Sequence, residues 1–496
     1  MEKGSQLYNE LKTCAMKELY KYYTPGCISL AGGLPLESCF PILEVNIKLP
    51  SSVGGDSLKS TDEEQTLNDI SGDGDKKSSF SIKRGLDTGL FLNYTRGYGM
   101  APLQEWISSH VNALHPRKKT DSEEVESCNE VVSISTCMTV GATDAFTKVL
   151  MLMDTEVVLF DDYAYAGALT PCRSWGKIPV GVESDEHGMI PSALRDAILN
   201  CRGQGRTVNL VYLVPTGGNP TGITIPLQRK MELLNICREL DIFLVEDDAY
   251  YYISYHDLPM EEDQTLSPCI AEKKAGDEIV EPSKHSMPGL KNLPRSFLSL
   301  DVDGRVIRID TLSKTIAPGM RLGWISACTP FIEKFNILQE CTNQAPSGLS
   351  QSIFLGLVNH WGEDGFDDHI RQMQLHYCKQ RNVLIKEIQA NFSPSECVFV
   401  VPTCGMFIWL TFSLQNTSSF ELFKAFAAVG VITVAASEFI VPAYGAAVVD
   451  DKPSVRLTYA AATPEQLKTA VEKMAVCYRS IVAEKGTTTT HTSTVN

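Results

Sequence analysis

The sequence predicts an α/β protein, with a mostly parallel sheet flanked by helices and a second, smaller α+β domain later in the chain. Two observations carry this. Short β-branched runs alternate with longer amphipathic ones, and strands separated by helices build βαβ units, whose sheets are parallel. Beyond about Ser347 the helical pattern rises, and strand-like segments then return at Gly405 to Phe412 and Ser454 to Ala460. The 496 residues also exceed what one compact core usually needs.

In chain order, residues 1–50 read as an arm that joins the smaller domain. Ser51 to Lys77 is rich in Ser, Gly, Asp and Glu with almost no apolar periodicity, so 51–87 is expected to be a flexible, exposed insertion. Residues 88–345 form the large domain. Within it, Val131 to Ser135, Val157 to Phe160, Val208 to Val214, Ile242 to Glu246 and Arg305 to Ile309 read as buried strands, being short, apolar and bounded by turn residues. Ala142 to Met153 and Leu227 to Leu240 read as helices. The charged, proline-punctuated stretch Pro259 to Pro294 is expected to be a second exposed insertion. Residues 346–485 make the small domain, and the threonine-rich tail 486–496 is expected to be disordered.

Composition excludes several classes of function. Hydrophobic residues at 43% and charged residues at 21% are ordinary for a globular chain, and a net charge of −16 argues against a broad nucleic-acid footprint. The 15 cysteines contain no Cys-x-x-Cys pair and the histidines no His-Glu-x-x-His, so free thiols and no metal site are expected. No apolar run approaches the roughly 20 residues that span a bilayer. The first 30 residues lack an apolar signal core and carry Glu2, Glu10 and Glu18, so the expected compartment is the cytoplasm.

The chemistry-bearing residues lie just beyond the expected strands, where ligands bind in α/β sheets. Thr311-Leu312-Ser313-Lys314 leads through Pro318-Gly319 to Arg321. A lysine partly withdrawn from water and near another cation loses its proton more easily and becomes a nucleophilic amine. Thr311, Ser313 and Arg321 are fit to hold a phosphate beside it. Ala142 and Thr143 open a helix, whose free N–H groups are a ready anion site. Pro215 to Gly222 is a tight turn that presents the Asn219 amide. Asp247 and Asp248 end an apolar strand, and a buried carboxylate there needs a partner; for Asp248 the expected role is to cap a following helix. Arg456, inside an apolar stretch, needs a carboxylate.

These runs together resemble the fold-type-I, class I/II aminotransferases, and most of all the branch holding fungal aromatic aminotransferases and kynurenine/aminoadipate aminotransferases. The resemblance spans roughly Ile28 to Tyr478 apart from the two insertions. It implies a seven-stranded, mostly parallel sheet and a pyridoxal 5'-phosphate cofactor carried on Lys314 as a Schiff base. It further implies that Ala142 (by its backbone), Thr143, Thr311, Ser313 and Arg321 serve the phosphate. Tyr165 stacks on the ring, Asn219 and Tyr250 reach its phenolic oxygen, and Asp247 keeps its nitrogen protonated. Arg456, with Asn219 and the backbone of Gly33, meets the substrate, and Tyr94 reaches the phosphate in a neighbouring subunit, which makes a homodimer with shared sites. One departure is Cys404, where the family often has a glycine before Gly405-Met406-Phe407. The implied reaction moves the amino group of Phe, Tyr or Trp to 2-oxoglutarate or another 2-oxo acid. The alternatives are 2-aminoadipate or kynurenine as the main donor, or a lyase on the same scaffold.

Overall fold

The computed structural model describes residues 4–12, 41–49, 79–83, 92–117, 132–255, 287–445 and 451–488. Helix α1 (Gln6–Glu10) comes first, followed by the antiparallel pair β1 (Glu44–Lys48) and β2 (Ser79–Lys83). Helix α2 (Ala101–Leu114) leads to β3 (Ile134–Thr139), α3 (Ala142–Leu152), β4 (Val157–Asp161), α4 (Ala166–Ser174) and β5 (Ile178–Val182). A two-residue hairpin, β6 (Ser184–Asp185) with β7 (Gly188–Met189), precedes α5 (Pro191–Gly203), β8 (Val208–Leu213), α6 (Leu227–Glu239) and β9 (Phe243–Asp247). Then come β10 (Val306–Thr311), β11 (Gly323–Cys328), α7 (Thr329–Thr342) and the long α8 (Gly348–Asn391), which breaks at Gly362, where φ is +64°.

Seven strands form one sheet in the order β3-β11-β10-β9-β8-β4-β5. All its pairings are parallel except those of β11, which runs antiparallel to both β3 and β10. Apolar side chains on its two faces feed two separate cores, as expected of strands covered by helices on both sides. A second, antiparallel sheet has the order β12 (Cys397–Val398), β13 (Phe407–Phe412), β15 (Ser454–Thr458), β14 (Val434–Ala435), with α9 (Ser419–Ala428) and α10 (Pro464–Thr488) beside it. Ser418 and Glu421 close α9 with a reciprocal capping box.

Three expectations change. Part of 51–87 is ordered: β2 pairs with β1, Ile82 is buried, and Phe80 lies so close to α8 that a Cβ on Gly356 would meet its ring at 2.3 Å. The end of the second insertion also packs. Met287 and Gly289 are buried, and the Gly289 N–H donates to Gln374 Oε1 at 2.8 Å. The same amide nitrogen, Gln374 Nε2, donates to Tyr252 O at 3.1 Å and Gly289 O at 3.2 Å. Both flanks of 256–286 are therefore pinned by one buried side chain. Finally, α10 continues to Thr488, into the expected tail. The rest of 51–87, Pro259 to His285 and the tail beyond Thr488 lie outside the described residues, as does Gly33.

Beneath the carboxyl edge of the large sheet lies a buried ion cluster. Arg308 on β10 meets Glu246 at 3.2 Å, Asp248 at 2.8 Å and Asp310 at 2.8 Å, all essentially without solvent, and its guanidinium lies 4.4 Å from the Tyr251 ring centroid. Asp248 thus serves as a partner of Arg308, and a turn rather than a helix follows it. Removing one member of such a cluster leaves the others charged and unpaired. Arg308→Leu is expected to cost about 3–5 kcal/mol of stability, measured by urea denaturation at pH 8. The loss should shrink at pH 5, because Asp310, already pushed up to about 6 by burial, then takes up a proton.

Candidate active site

The carboxyl ends of β3, β4, β8, β9 and β10 converge on one rim, and the expected residues sit on the loops that leave it. At the end of β9, the Asp247 side chain is buried. Its Oδ2 accepts from the Tyr212 hydroxyl at 2.6 Å, while Oδ1 has no partner. Burial pushes this carboxyl up to about 7; Asp248 and Asp310 add to the rise, and the Tyr212 hydrogen bond and Arg308 oppose it.

The loop after β8 presents Asn219. Its Nδ2 donates to the Tyr250 hydroxyl at 3.4 Å, and its Oδ1 accepts from Arg456 Nη1 at 2.7 Å. Arg456 lies on β15 of the second sheet, between the rings of Phe407 (4.4 Å) and Phe439 (5.0 Å), and its buried Nε has no partner. Burial lowers its pKa. Trp409, directly opposite Arg456 on β13, packs against Tyr163 with ring centroids 4.9 Å apart. The two sheets meet closely here: a Cβ on Gly217 (φ +56°) would lie 2.6 Å from Gly405, so neither position has room for a side chain. Cys404 is buried, and its thiol donates to Ser254 Oγ at 3.3 Å.

After β10 the chain turns through Ser313 and Lys314. Thr311 Oγ1 and Ser313 Oγ are 2.9 Å apart, and Arg321 Nη1 donates to Ser313 Oγ at 3.3 Å. Arg321 adopts the left-handed conformation (φ +47°), which returns its side chain to the start of α3, where Nη2 donates to Val140 O at 3.1 Å. Gly141 sits at φ +86°, a conformation that favours glycine, and a Cβ there would lie 2.5 Å from that nitrogen. The first N–H groups of α3, at Ala142 and Thr143, thus stand beside Arg321 and Ser313, an arrangement suited to a phosphate. Asp144 in the same turn accepts from Val140 N, and buried Lys148 neutralises it at 2.6 Å.

Lys314 is half-buried and makes no hydrogen bond or ion pair to any described residue. Burial lowers its pKa, and Arg456 and Arg321 lower it further. Tyr165 caps α4 at the same rim, close enough to Asp247 that the carboxylate raises its pKa beyond the effect of burial. Tyr165 and Asn219 line a cleft of about 460 Å³, counted with its open mouth. Tyr94 stands apart from this group and is 63% exposed.

The structure therefore brings together all the expected residues except Tyr94 and Gly33. Two residues that shape the site are absent from the sequence reading. Tyr212 was legible only as a tyrosine in an otherwise aliphatic strand, whose buried hydroxyl needs a partner. Arg308 was legible as a cation in an apolar strand, two residues before Asp310.

The fold and this rim are those of the class I and II aminotransferases, whose family model matches residues 71–474, and the chain belongs to that family. It is an aminotransferase, and its cofactor is pyridoxal 5'-phosphate. The donors fit that group: an unpaired carboxylate oxygen at Asp247, an unpaired amine at Lys314 and a cradle at Gly141, Ser313 and Arg321. The chain is similar to an aromatic amino acid aminotransferase of Schizosaccharomyces pombe, 29% identical over 96% of this chain and 95% of the relative. It is 29% identical to the L-tyrosine:2-oxoglutarate aminotransferase of Tapinella panuoides, over 80% of this chain and 70% of the relative. The aminotransferase Aro8 of Candida albicans has the same fold, with a TM-score of 0.78 at 25% identity over 97% of this chain and 98% of that one.

A carboxyl whose folded pKa lies above its unfolded value, about 3.9 for aspartate, contributes stability that is present below the unfolded value and lost as pH rises through the folded one. For Asp247 that window runs from about 3.9 to about 7. In cofactor-free protein, Asp247→Asn should make the fall in stability across this window shallower, measured by urea denaturation at a series of pH values. An unchanged slope would mean that Asp247 is already ionised without the cofactor.

Proposed function

We propose that the chain transfers the amino group of aromatic L-amino acids, phenylalanine, tyrosine or tryptophan, to 2-oxoglutarate, releasing the aromatic 2-oxo acid and glutamate. The observation that carries this is Arg456, a half-buried guanidinium with an unpaired Nε, held between Phe407 and Phe439 with Trp409 and Tyr163 alongside. A planar cation of this kind takes a carboxylate, and the surrounding rings favour an aromatic body. The relatives' names, aromatic amino acid aminotransferase and L-tyrosine:2-oxoglutarate aminotransferase, support the same donor and acceptor.

In this reading the side chains of the rim divide the work. Bound pyridoxal 5'-phosphate supplies an electron sink conjugated to the substrate's α-carbon. Arg456 and Asn219 orient the α-carboxylate. Lys314 holds the cofactor and, once released, takes and returns the α-proton, a role suited to an amine whose pKa burial and two neighbouring cations depress. Asp247 supplies the negative charge opposite the ring nitrogen, Tyr250 and Asn219 donate to the ring oxygen, and Tyr165 covers the ring face. Ser313, Thr311, Arg321 and the N–H groups of Ala142 and Thr143 hold the phosphate. Tyr94, exposed on one chain, reaches the site of a second copy, which makes the working unit a homodimer. Gly33 lines the substrate mouth. The ten described cysteines are all free thiols, in keeping with a cytoplasmic enzyme.

Among the described residues no helix is long and apolar enough to cross a membrane, and no cluster could hold a metal ion.

Absorbance of the holoenzyme tests this reading. Phenylalanine should bleach the visible band with release of phenylpyruvate, and 2-oxoglutarate should restore it. Bleaching by 2-aminoadipate or kynurenine but not phenylalanine would move the assignment to those donors. Carbon dioxide or ammonia as product would move it to another reaction on the same scaffold. Lys314→Ala should lack the covalent cofactor band and all turnover. Arg456→Ala should lose about 30-fold or more in kcat/KM, the equivalent of about 2 kcal/mol for a partly buried charge pair.

A further inference from the structure

Tyr212 has no task in the reading above, yet it makes the one hydrogen bond that reaches the Asp247 carboxylate among the described residues. It lies on β8 opposite Val245 of β9, so Tyr212, Val245 and Asp247 share one face of the sheet, and its long side chain spans the diagonal to Asp247. Its ring is 2% exposed and wedged between Phe146 at 4.6 Å and Phe160 at 5.2 Å, which leaves the hydroxyl one position. Burial holds this phenol well above its ordinary pKa, so it remains a donor.

An aspartate carboxylate turns easily about its last torsion, since such torsions are broad. A fixed donor on one oxygen selects one rotamer. Here it occupies Oδ2 and leaves Oδ1 buried and unpaired. We propose that Tyr212 is a positioning residue for the cofactor: it locks Asp247 so that Oδ1 alone meets the ring nitrogen of pyridoxal phosphate, and it keeps that carboxylate charged. The inference rests on Asp247 being the partner of that nitrogen. The charge needs such help. Asp248 and Asp310 are close enough to Asp247 to favour its protonated form, and a protonated acid is a poor partner for a cationic N–H.

The test compares two probes on cofactor-free, full-length protein: pyridoxal phosphate and its 1-deaza analogue, in which C–H replaces the ring nitrogen. Tyr212→Phe keeps the ring and removes only the hydroxyl, so its thermal midpoint should stay near that of the wild type. Its affinity for pyridoxal phosphate should fall about tenfold or more, as expected when a hydrogen bond to a charged group is lost, while its affinity for the analogue changes by less than about twofold. An equal loss for both probes would reduce Tyr212 to packing and overturn the proposal, and so would no loss for either. Asp247→Asn separates the two levels. If it still discriminates between the probes as the wild type does, the reading of Asp247 itself is wrong. If it loses discrimination and Tyr212→Phe does not, only the role of Tyr212 falls.

Discussion

Arg308 is the constraint around which the large sheet is arranged. Three consecutive carboxylates stand at the end of β9 and just past it, and such a run cannot be buried on one face. The alternation of side chains along a strand divides them: Glu246 and Asp248 go to the face where Arg308 stands opposite in the register, and Asp247 goes to the other. Asp310, two residues along β10, completes the cluster. Geometry thus separates a structural trio from a single free carboxylate. The same guanidinium that compensates the trio also lies close enough to oppose the rise in the Asp247 pKa. Stability and cofactor chemistry are coupled through this side chain, although it touches neither cofactor nor substrate.

The site is also a junction. Arg456 belongs to the second sheet and Asn219 to a loop of the first, and the bond between them crosses the seam. The Gly217–Gly405 approach brings the two backbones together, and the Gly405 N–H donates to Ile253 O at 2.7 Å. The Tyr255 and Tyr459 hydroxyls meet beneath, one donating to the other, with both within hydrogen-bond reach of Gly405 O. The carboxylate-binding arginine is therefore positioned by the packing of one sheet against the other, not by its own strand alone.

Much of this was legible in the sequence because the strands and the polar runs that follow them carry local signals. The aliphatic runs of β4, β8 and β9 differ from expectation by no more than about one residue at either end, and β10 runs two residues further, to Thr311. Strand β3 was expected from Val131 to Ser135 and runs instead from Ile134 to Thr139, since Thr136 and Thr139 interrupt the apolar signal that a propensity argument follows. Strand β11 was not legible at all: Gly323-Trp324-Ile325-Ser326-Ala327-Cys328 has few β-branched residues, and its burial comes from neighbours on both sides. Asp247 and Arg456 stood out as polar residues that an apolar context must explain, and Lys314, Asn219 and Arg321 through the polar and glycine-proline runs just beyond the strands. Tyr212 did not, because Asp247 is distant in the chain, and Arg308 did not, because Glu246 and Asp248 are; only the sheet register brings these pairs close. The ordered ends of the two insertions were hidden for the same reason, as Phe80 and Gly289 are fixed by contacts with α8 rather than by local pattern.

The Gln374 clasp has a consequence for how this chain can vary. One amide side chain fastens the backbone just before 256–286 and just after it, so the body of the protein itself ties the two ends of the stem together. Adding residues to a loop whose ends are already held costs only logarithmically in closure entropy. The length of chain between these two ends can therefore change while the clasp at this port stays the same. The same port is a natural graft point, at which a fluorescent reporter or a foreign binding module could be spliced between Tyr255 and Met287 with the Gln374 clasp left intact.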